Sequence, residues 1–276
     1  MLSLNELIQQ RFGLPTTVDQ TAPNKTLTDM LAHRSCRQYK ADPIPEELLQ
    51  VLLAAAFSAP SKSDLQQACV IRINNRDKQQ HIADLSPHTA WIANAPVFMV
   101  WCGDSRRIRR LAAWRNHPFA NDHLDAFMNA AVDAGIAMQS FIVAAESVGL
   151  GCCPVSEIRD HIDALSTALE LPQWVFPVAG LCVGRPVEAG RISLRLPLEV
   201  TVHTDRYDDS AMIEHVADYD RRREAIEKTK PDQQRFVAQF GVSHDYGWSE
   251  NRTRQYAVPA RTDFGRYIRE QGFDLS

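Results

Sequence analysis

Five consecutive residues, His33-Arg34-Ser35-Cys36-Arg37, place two guanidiniums, a hydroxyl and an imidazole in one short stretch. The planar fork of arginine donates two parallel hydrogen bonds, which suits a phosphate. An isolated pentad of this kind is more often a solvated basic turn. A second polar cluster, Ser61-Lys62-Ser63-Asp64-Leu65-Gln66, stands just ahead of an apolar run. Its hydroxyls and amide can read the polar edge of a heterocycle, or simply bond their own backbone in a loop. A third feature is the glycine-rich passage Glu146-Ser147-Val148-Gly149-Leu150-Gly151, followed by Pro154-Val155-Ser156-Glu157. Such a turn lets backbone approach a flat ligand closely. It is not a GxGxxG motif after a strand, and no GxxxxGK[ST] loop is present, so neither dinucleotide nor nucleotide-triphosphate folds are indicated. His117 and His123 flank Asp122, but their spacing around Pro118 is not that of a zinc helix, and no metal is expected.

These residues sit in a chain of 276 residues with a net charge of −4, 45% hydrophobic and 23% charged. That balance leaves no footprint for nucleic acid or an anionic membrane, so any anion site must come from local clustering. No stretch approaches roughly 18 uncharged apolar residues, which argues against a spanning helix, and the start of the chain lacks the apolar core of a signal peptide. The cysteines, Cys36, Cys69, Cys102, Cys152, Cys153 and Cys182, lack CxxC spacing and read as reduced thiols in a cytoplasmic protein.

The elements that must position the polar clusters follow from pattern. Residues 3–12 and 26–34 read as short helices joined by a linker holding Pro15 and Pro23. Pro45-Glu46-Glu47 opens a helix through Phe57, proline and acids suiting its positive end. Strands are expected at 69–73, 95–102 and 176–183, with helices at 76–85, 122–148 and 156–170. The helix over 122–148 has an unusual small-residue surface, Ala130, Ala131, Ala134, Gly135, Ala137 and Ala144, which fits either a core or a subunit interface. Ser105 to Asn121 reads as a loop rich in Arg and Trp. From Asp205 the charge rises, and 209–229 reads as an exposed helix before an interrupted polar tail with a last helix near 262–271. The fold class expected is α+β.

Taken together, HRSCRQY, SAPSKSDLQ before a strand, AAESVGLGCCPVSEIR, and LPQWVFPVAGLCVGRP with RLPLEV beyond it resemble the nitroreductase superfamily, in its NADPH-dependent nitroreductase and flavin reductase branch. The likeness runs from Leu31 to Tyr207 and continues more weakly through Trp248-Ser249 to the end. It implies a nitroreductase-like fold: a mixed central sheet flanked by helices, with helical extensions at both ends. It also implies a division into an extension (1–25), an FMN-binding domain (26–207) and a helical excursion (208–276). The protein would be a homodimer with FMN in its interface, reduced by NADPH and passing two electrons to nitroaromatic, quinone or flavin acceptors.

The resemblance assigns roles residue by residue. Arg34 and Ser35, with His33 nearby, would hold the FMN phosphate, and Arg195 matches a second phosphate-binding arginine. Arg37 would face the pyrimidine edge of the flavin; a cation about 4 Å away at an effective dielectric of about 20 attracts a unit charge by roughly 4 kcal/mol. Ser61, Lys62, Ser63, Asp64 and Gln66 would close over the ring, and Pro154, Val155, Ser156 and Glu157 would lie near N5. Lys230 and Arg261, with Lys228, are candidates for the NADPH 2′-phosphate. No protein side chain is required as catalyst, since hydride chemistry belongs to the flavin. Three departures stand out: Ser193 where the branch usually has lysine, with Arg191 or Arg185 as substitutes; Asp64 where asparagine is common; and Ser156-Glu157 in place of a glycine pair. The last two would favour an alternative, a flavin-storing or flavin-sensing protein without turnover. A superfamily member with other flavin chemistry, such as reductive dehalogenation, is the remaining alternative.

Overall fold

The computed structural model describes residues 2–14 and 24–276; the linker prolines Pro15 and Pro23 lie outside the described residues. The chain forms two compact units. One comprises Met1–Ala32 with Ile192–Ala260, the other His33–Arg191 with Arg261–Ser276. These units cut across the expected boundaries at 25 and 207.

The larger unit is built on a four-stranded sheet, β1 (Ala68–Arg72), β2 (Val97–Asp104), β3 (Gly151–Val155) and β4 (Val175–Gly184), in the order β1-β2-β4-β3. Every pairing is antiparallel, where a mixed sheet was expected. β2 and β4 occupy the centre, and their near-continuous apolar runs are explained by burial on both faces. On one face Trp101 and Met99 of β2 pack with Phe141 and Ala137 of the helix Leu124–Ser147 and with Leu49 and Leu52 of the helix Glu46–Phe57. On the other, Phe98, Val100 and Cys102 meet Ile82, Ile92 and Leu165. The class is therefore α+β, as the pattern of elements implied.

β3 was not expected as a strand, because Gly-Leu-Gly and Pro154 read as a turn. It lies at the sheet edge, where a proline costs no ladder bond, and Pro154 is exposed. Gly151 is required there, since a Cβ would fall 2.6 Å from Cβ of Cys36. Gly149 ends the preceding helix at φ +80°, the left-handed cap that glycine adopts without strain. The expected helix 156–170 is instead a 3₁₀ turn, Glu157–Arg159, and a helix, Ile162–Ala168.

The Arg-rich stretch after β2 is not a loop but begins as the helix Arg106–Trp114. Its Ile108, Leu111 and Ala112 follow helical spacing that the intervening arginines obscure. The helix Leu124–Ser147 is long and apolar enough, by length and composition, to cross a membrane. Here it is the core helix of the larger unit, with Ala130, Ala134, Phe141 and Ala145 fully buried.

In the smaller unit, buried Arg11 ties three segments together. Its guanidinium donates to the Leu31 carbonyl at 2.8 and 3.2 Å and to the Ser193 carbonyl at 2.9 Å. The helix Met212–Ile226 buries Tyr219, whose hydroxyl donates to Leu194 O at 3.2 Å. A helix at Trp248–Tyr256, not expected from the polar tail, is held by Ser249 N–H on the Asp220 carboxylate at 3.1 Å.

Candidate functional site

The pentad His33–Arg37 belongs to an extended segment lying against the end of the sheet. Cys36 N–H donates to Cys152 O at 2.9 Å, Lys40 N–H to Arg185 O at 2.9 Å, and Tyr39 bridges Pro186. Backbone pairing thus fixes the segment, leaving its cations available. His33 Nδ1 lies 2.7 Å from Glu146 Oε1, near the end of the core helix. Arg34 donates to Gly190 O at 3.2 Å, and the Arg37 guanidinium stands 5.4 Å over the Trp91 ring, a favourable cation–π arrangement. Among the described residues neither Arg34 nor Arg37 has a carboxylate partner. Ser35 is exposed beside them.

The cluster Ser61–Gln66 is more constrained than its sequence suggests. Ser63, Asp64 and Gln66 all have positive φ, at 51°, 55° and 52°. Three non-glycine residues in the left-handed region within one loop cost on the order of 1–3 kcal/mol each and persist only where surroundings over-determine them. Two side chains supply the constraint. Asp133 of the core helix, 3% exposed, accepts Lys62 N–H at 3.1 Å and Gln67 N–H at 2.9 Å. Arg107, itself paired with Asp104 at 3.0 Å, donates to the carbonyls of Gln66 and Ala68. Ser61 Oγ accepts Gln66 N–H at 3.2 Å, and Asp64 accepts from the Gln66 amide at 3.0 Å. Neither Asp133 nor Arg107 was singled out in the sequence. A lone aspartate amid Ala130–Ala137, on a helix otherwise apolar there, is the signal that could have found the first.

Pro154, Val155, Ser156 and Glu157 run from β3 into the 3₁₀ turn. Glu157 Oε1 accepts the backbone N–H of His88 at 3.0 Å. The carboxylate that threatened to crowd a flat ligand is thereby committed to the turn Pro87–Ile92, which carries Trp91 and so the partner of Arg37. These three segments all belong to the larger unit.

Arg195 lies in the smaller unit and is exposed; its guanidinium donates to Ser193 Oγ at 2.6 Å, and its backbone N–H to Arg11 O at 2.7 Å. The serine that replaces the usual lysine therefore supports Arg195. Lys230 is exposed in the smaller unit, whereas Arg261 belongs to the larger one, where its Nε donates to Asp160 at 2.5 Å. Lys228 pairs with Glu224 at 2.9 Å. His117 and His123 line a cavity beside the Lys62 loop; among the described residues there is no cluster of three or more His, Cys, Asp or Glu that could hold a metal.

Burial raises the thiols of Cys152, Cys182 and Cys36. Cys69 is lowered, chiefly by a hydrogen bond from Cys102, its cross-strand partner in β2.

With that geometry in place, comparison with known proteins is decisive. The family model described as Nitroreductase family matches residues 30–185. The chain belongs to the nitroreductase family. The C-terminal domain of the nitroreductase family matches residues 193–276. Among relatives, the FMN reductase [NAD(P)H] of Bacillus subtilis is 36% identical over 202 residues, covering 72% of this chain and 80% of that one. The oxygen-insensitive NADPH nitroreductase of Salmonella typhimurium is 31% identical over 182 residues, covering 66% and 74%. The solved structure of the NADPH:FMN oxidoreductase from Vibrio harveyi, complexed with NAD+, superposes with a TM-score of 0.78 at 28% identity, over 90% of this chain and 98% of that one. The three motif segments built above all fall within the first nitroreductase match.

Proposed function

We propose that this nitroreductase-family protein is an FMN-dependent oxidoreductase. It takes reducing equivalents from NADPH and passes two electrons to nitroaromatic, quinone or flavin acceptors. The observation that carries the reading is the pair of cations, Arg34 and Arg37, held on paired backbone with no carboxylate partner among the described residues. A mononucleotide brings the missing charge: a phosphate dianion for Arg34 and Ser35, and the pyrimidine edge of a flavin for Arg37; Arg195 is assigned to phosphate binding on the sequence resemblance alone. His33, kept in place by Glu146, stands beside that phosphate. When bound, FMN supplies the hydride chemistry; the chain's own groups bind, orient and set the electrostatics.

The other segments suit the same ligand. Strained loops held by buried groups occur at binding sites, and Ser61, Lys62, Ser63, Asp64 and Gln66 are the residues we assign to closing over the ring. Pro154, Val155, Ser156 and Glu157 are assigned to the N5 side. With Glu157 turned to His88, one of the three sequence grounds for a storage protein without turnover, Asp64, Ser156 and Glu157, weakens. Lys230 and Arg261 are assigned to NADPH, Lys230 with the freer charge. We assign 26–207 to the FMN-binding part of the chain and 208–276 to the excursion.

We further propose a homodimer. Gly135, Met128 and Val132 form an outward strip on the core helix: Met128 is 59% exposed, Val132 47%, and a Cβ at Gly135 would meet nothing within 4 Å. Packing inside the chain explains Ala130, Ala134 and Ala137, but not this strip, which a second copy would cover. Glu146 and Asp133 anchor the phosphate-binding and ring-covering segments at points about 20 Å apart along one helix at 1.5 Å per residue. That spacing supports flavin sites that draw on two chains. Six thiols and no disulfide suit the cytoplasm.

The test is the absorbance spectrum of the purified protein with a turnover assay. Flavin bands, and NADPH consumption dependent on a nitrofuran or quinone, are expected. Bound FMN without NADPH consumption would sink the enzyme reading, and colourless protein that takes up no added FMN would sink the cofactor.

A further inference from the structure

Two thiols face each other across the first two strands. Cys69 of β1 and Cys102 of β2 are direct partners in the antiparallel register. Asp104 N–H donates to Gln67 O at 2.9 Å, two residues away along each chain. By the alternation of an antiparallel ladder, Cys69 and Cys102 are then also a hydrogen-bonded pair, with Cα atoms about 5.5 Å apart. A disulfide spans about 4.4–6.8 Å between Cα atoms, so the two are within reach of a bridge. Both side chains lie on one face of the sheet, the face that packs on Ile82, Ile92 and Leu165.

The two thiols differ in access. β1 is an edge strand and its Cys69 is partly exposed, whereas Cys102 is fully buried. One thiol therefore meets solvent while its partner is held behind it. The hydrogen bond from Cys102 lowers the Cys69 thiol, outweighing the effect of partial burial. A lowered thiol holds more thiolate, the nucleophilic form. The chain carries its own contrast: Cys153 and Cys182 are partners in the same way across β3 and β4. Both are buried, and burial raises both thiols, so that pair is shielded and protonated.

We propose that Cys69 and Cys102 form a reversible oxidation site for hydrogen peroxide, with Cys69 as the attacking thiol and Cys102 as the resolving one. The Cys69 thiolate attacks one peroxide oxygen. An S–O bond forms, the O–O bond breaks, and the departing oxygen takes up protons as water. The Cys102 sulfur then attacks the sulfur of this sulfenic acid. An S–S bond forms, the S–O bond breaks, and a second water leaves with the Cys102 proton. In sum, two thiols lose two electrons, and one peroxide is reduced to two waters. A dithiol reductant reverses the step by thiol–disulfide exchange. Arg107 donates to Gln66 O and Ala68 O, so the bridge forms where the loop Ser61–Gln66 enters the sheet. The site does not depend on the flavin reading.

The experiment treats the purified protein, with the flavin it carries, with hydrogen peroxide. Remaining thiols are alkylated, and peptides are mapped by mass spectrometry without reduction. A cross-link between the Cys69 and Cys102 peptides should form first, at least about tenfold faster than any Cys153–Cys182 link, and should vanish with dithiothreitol. Cys102→Ala should stop at the sulfenic acid, trapped on Cys69 by dimedone. Cys69→Ala, altering only a partly exposed edge residue, should leave Cys102 a free thiol at peroxide levels that convert the wild type. Oxidation of Cys69 no faster than Cys153 would overturn the site. Sulfinic acid on Cys69 in wild type without the cross-link would overturn the role of Cys102, and so the proposal.

Discussion

Replacing Asp133 tests whether the loop Ser61–Gln66 is held as described. Its carboxylate is 3% exposed and accepts two backbone N–H groups, Lys62 at 3.1 Å and Gln67 at 2.9 Å. Hydrogen bonds to a charged acceptor contribute about 1.5–3 kcal/mol each, so the pair supplies roughly 3–6 kcal/mol. Against this stand three left-handed non-glycine residues, at about 1–3 kcal/mol each. The two quantities are comparable, so losing one bond is enough to release the loop. Asp133→Asn keeps one acceptor oxygen but turns an amide N–H₂ toward the other backbone N–H. Its expected cost is about 2–3 kcal/mol, which raises local opening roughly 30- to 150-fold. Hydrogen exchange at the amides of Lys62 and Gln67 reads that opening directly, and urea unfolding reads any global loss. Asp133→Ala should cost more, since both N–H groups lose their partner. If both amides of Asp133→Asn exchange within threefold of wild type and the unfolding midpoint is unmoved, the carboxylate does not hold the loop.

Further outcomes follow from the same geometry. Glu146→Gln should leave the fold intact and weaken FMN binding several-fold by loosening His33, measured by flavin fluorescence; unchanged affinity would make the His33–Glu146 contact incidental. Arg109 holds the Asp122 carboxyl below its ordinary value of 3.8, mainly through their hydrogen bond. A depressed carboxyl stabilises the fold above its unfolded pKa and loses that contribution as pH falls through the folded one. The stretch after the helix Arg106–Trp114 should therefore become protease-sensitive only below about pH 4, whereas Arg109→Ala should make it sensitive at neutral pH. Cys69, partly exposed and lowered by its bond from Cys102, should be alkylated before the buried Cys152 and Cys182; peptide mass spectrometry gives the order.

Much of this was legible in the sequence, for identifiable reasons. β1, β2 and β4 announce themselves because apolar runs of strand length leave little alternative. The helix Glu46–Phe57 is legible from proline and acids at its start, and the core helix from its length and terminal glycines. β3 was hidden because Gly and Pro are turn residues unless an edge position excuses them, and edge position is a tertiary fact. The helix Arg106–Trp114 was hidden by its arginines, which look like solvated loop until Arg107 and Arg109 are seen making backbone and ion-pair contacts. The polar clusters of the site could be read as chemistry, but not as geometry. Nothing local to Ser61–Gln66 says that three residues are left-handed, because the restraint comes from Asp133, some seventy positions later. Likewise Glu157 looked like an obstacle until the His88 N–H was found to occupy it.

The central proposal is that Arg34 and Ser35 hold the phosphate of a bound FMN, and its most direct measurement is the FMN dissociation constant of the double variant Arg34→Ala/Ser35→Ala. Two lost charge-assisted contacts of about 1.5–3 kcal/mol each predict an affinity weaker by roughly 10²- to 10⁴-fold, with riboflavin, which has no phosphate, binding equally to variant and wild type. Wild-type FMN affinity in the double variant would contradict the account.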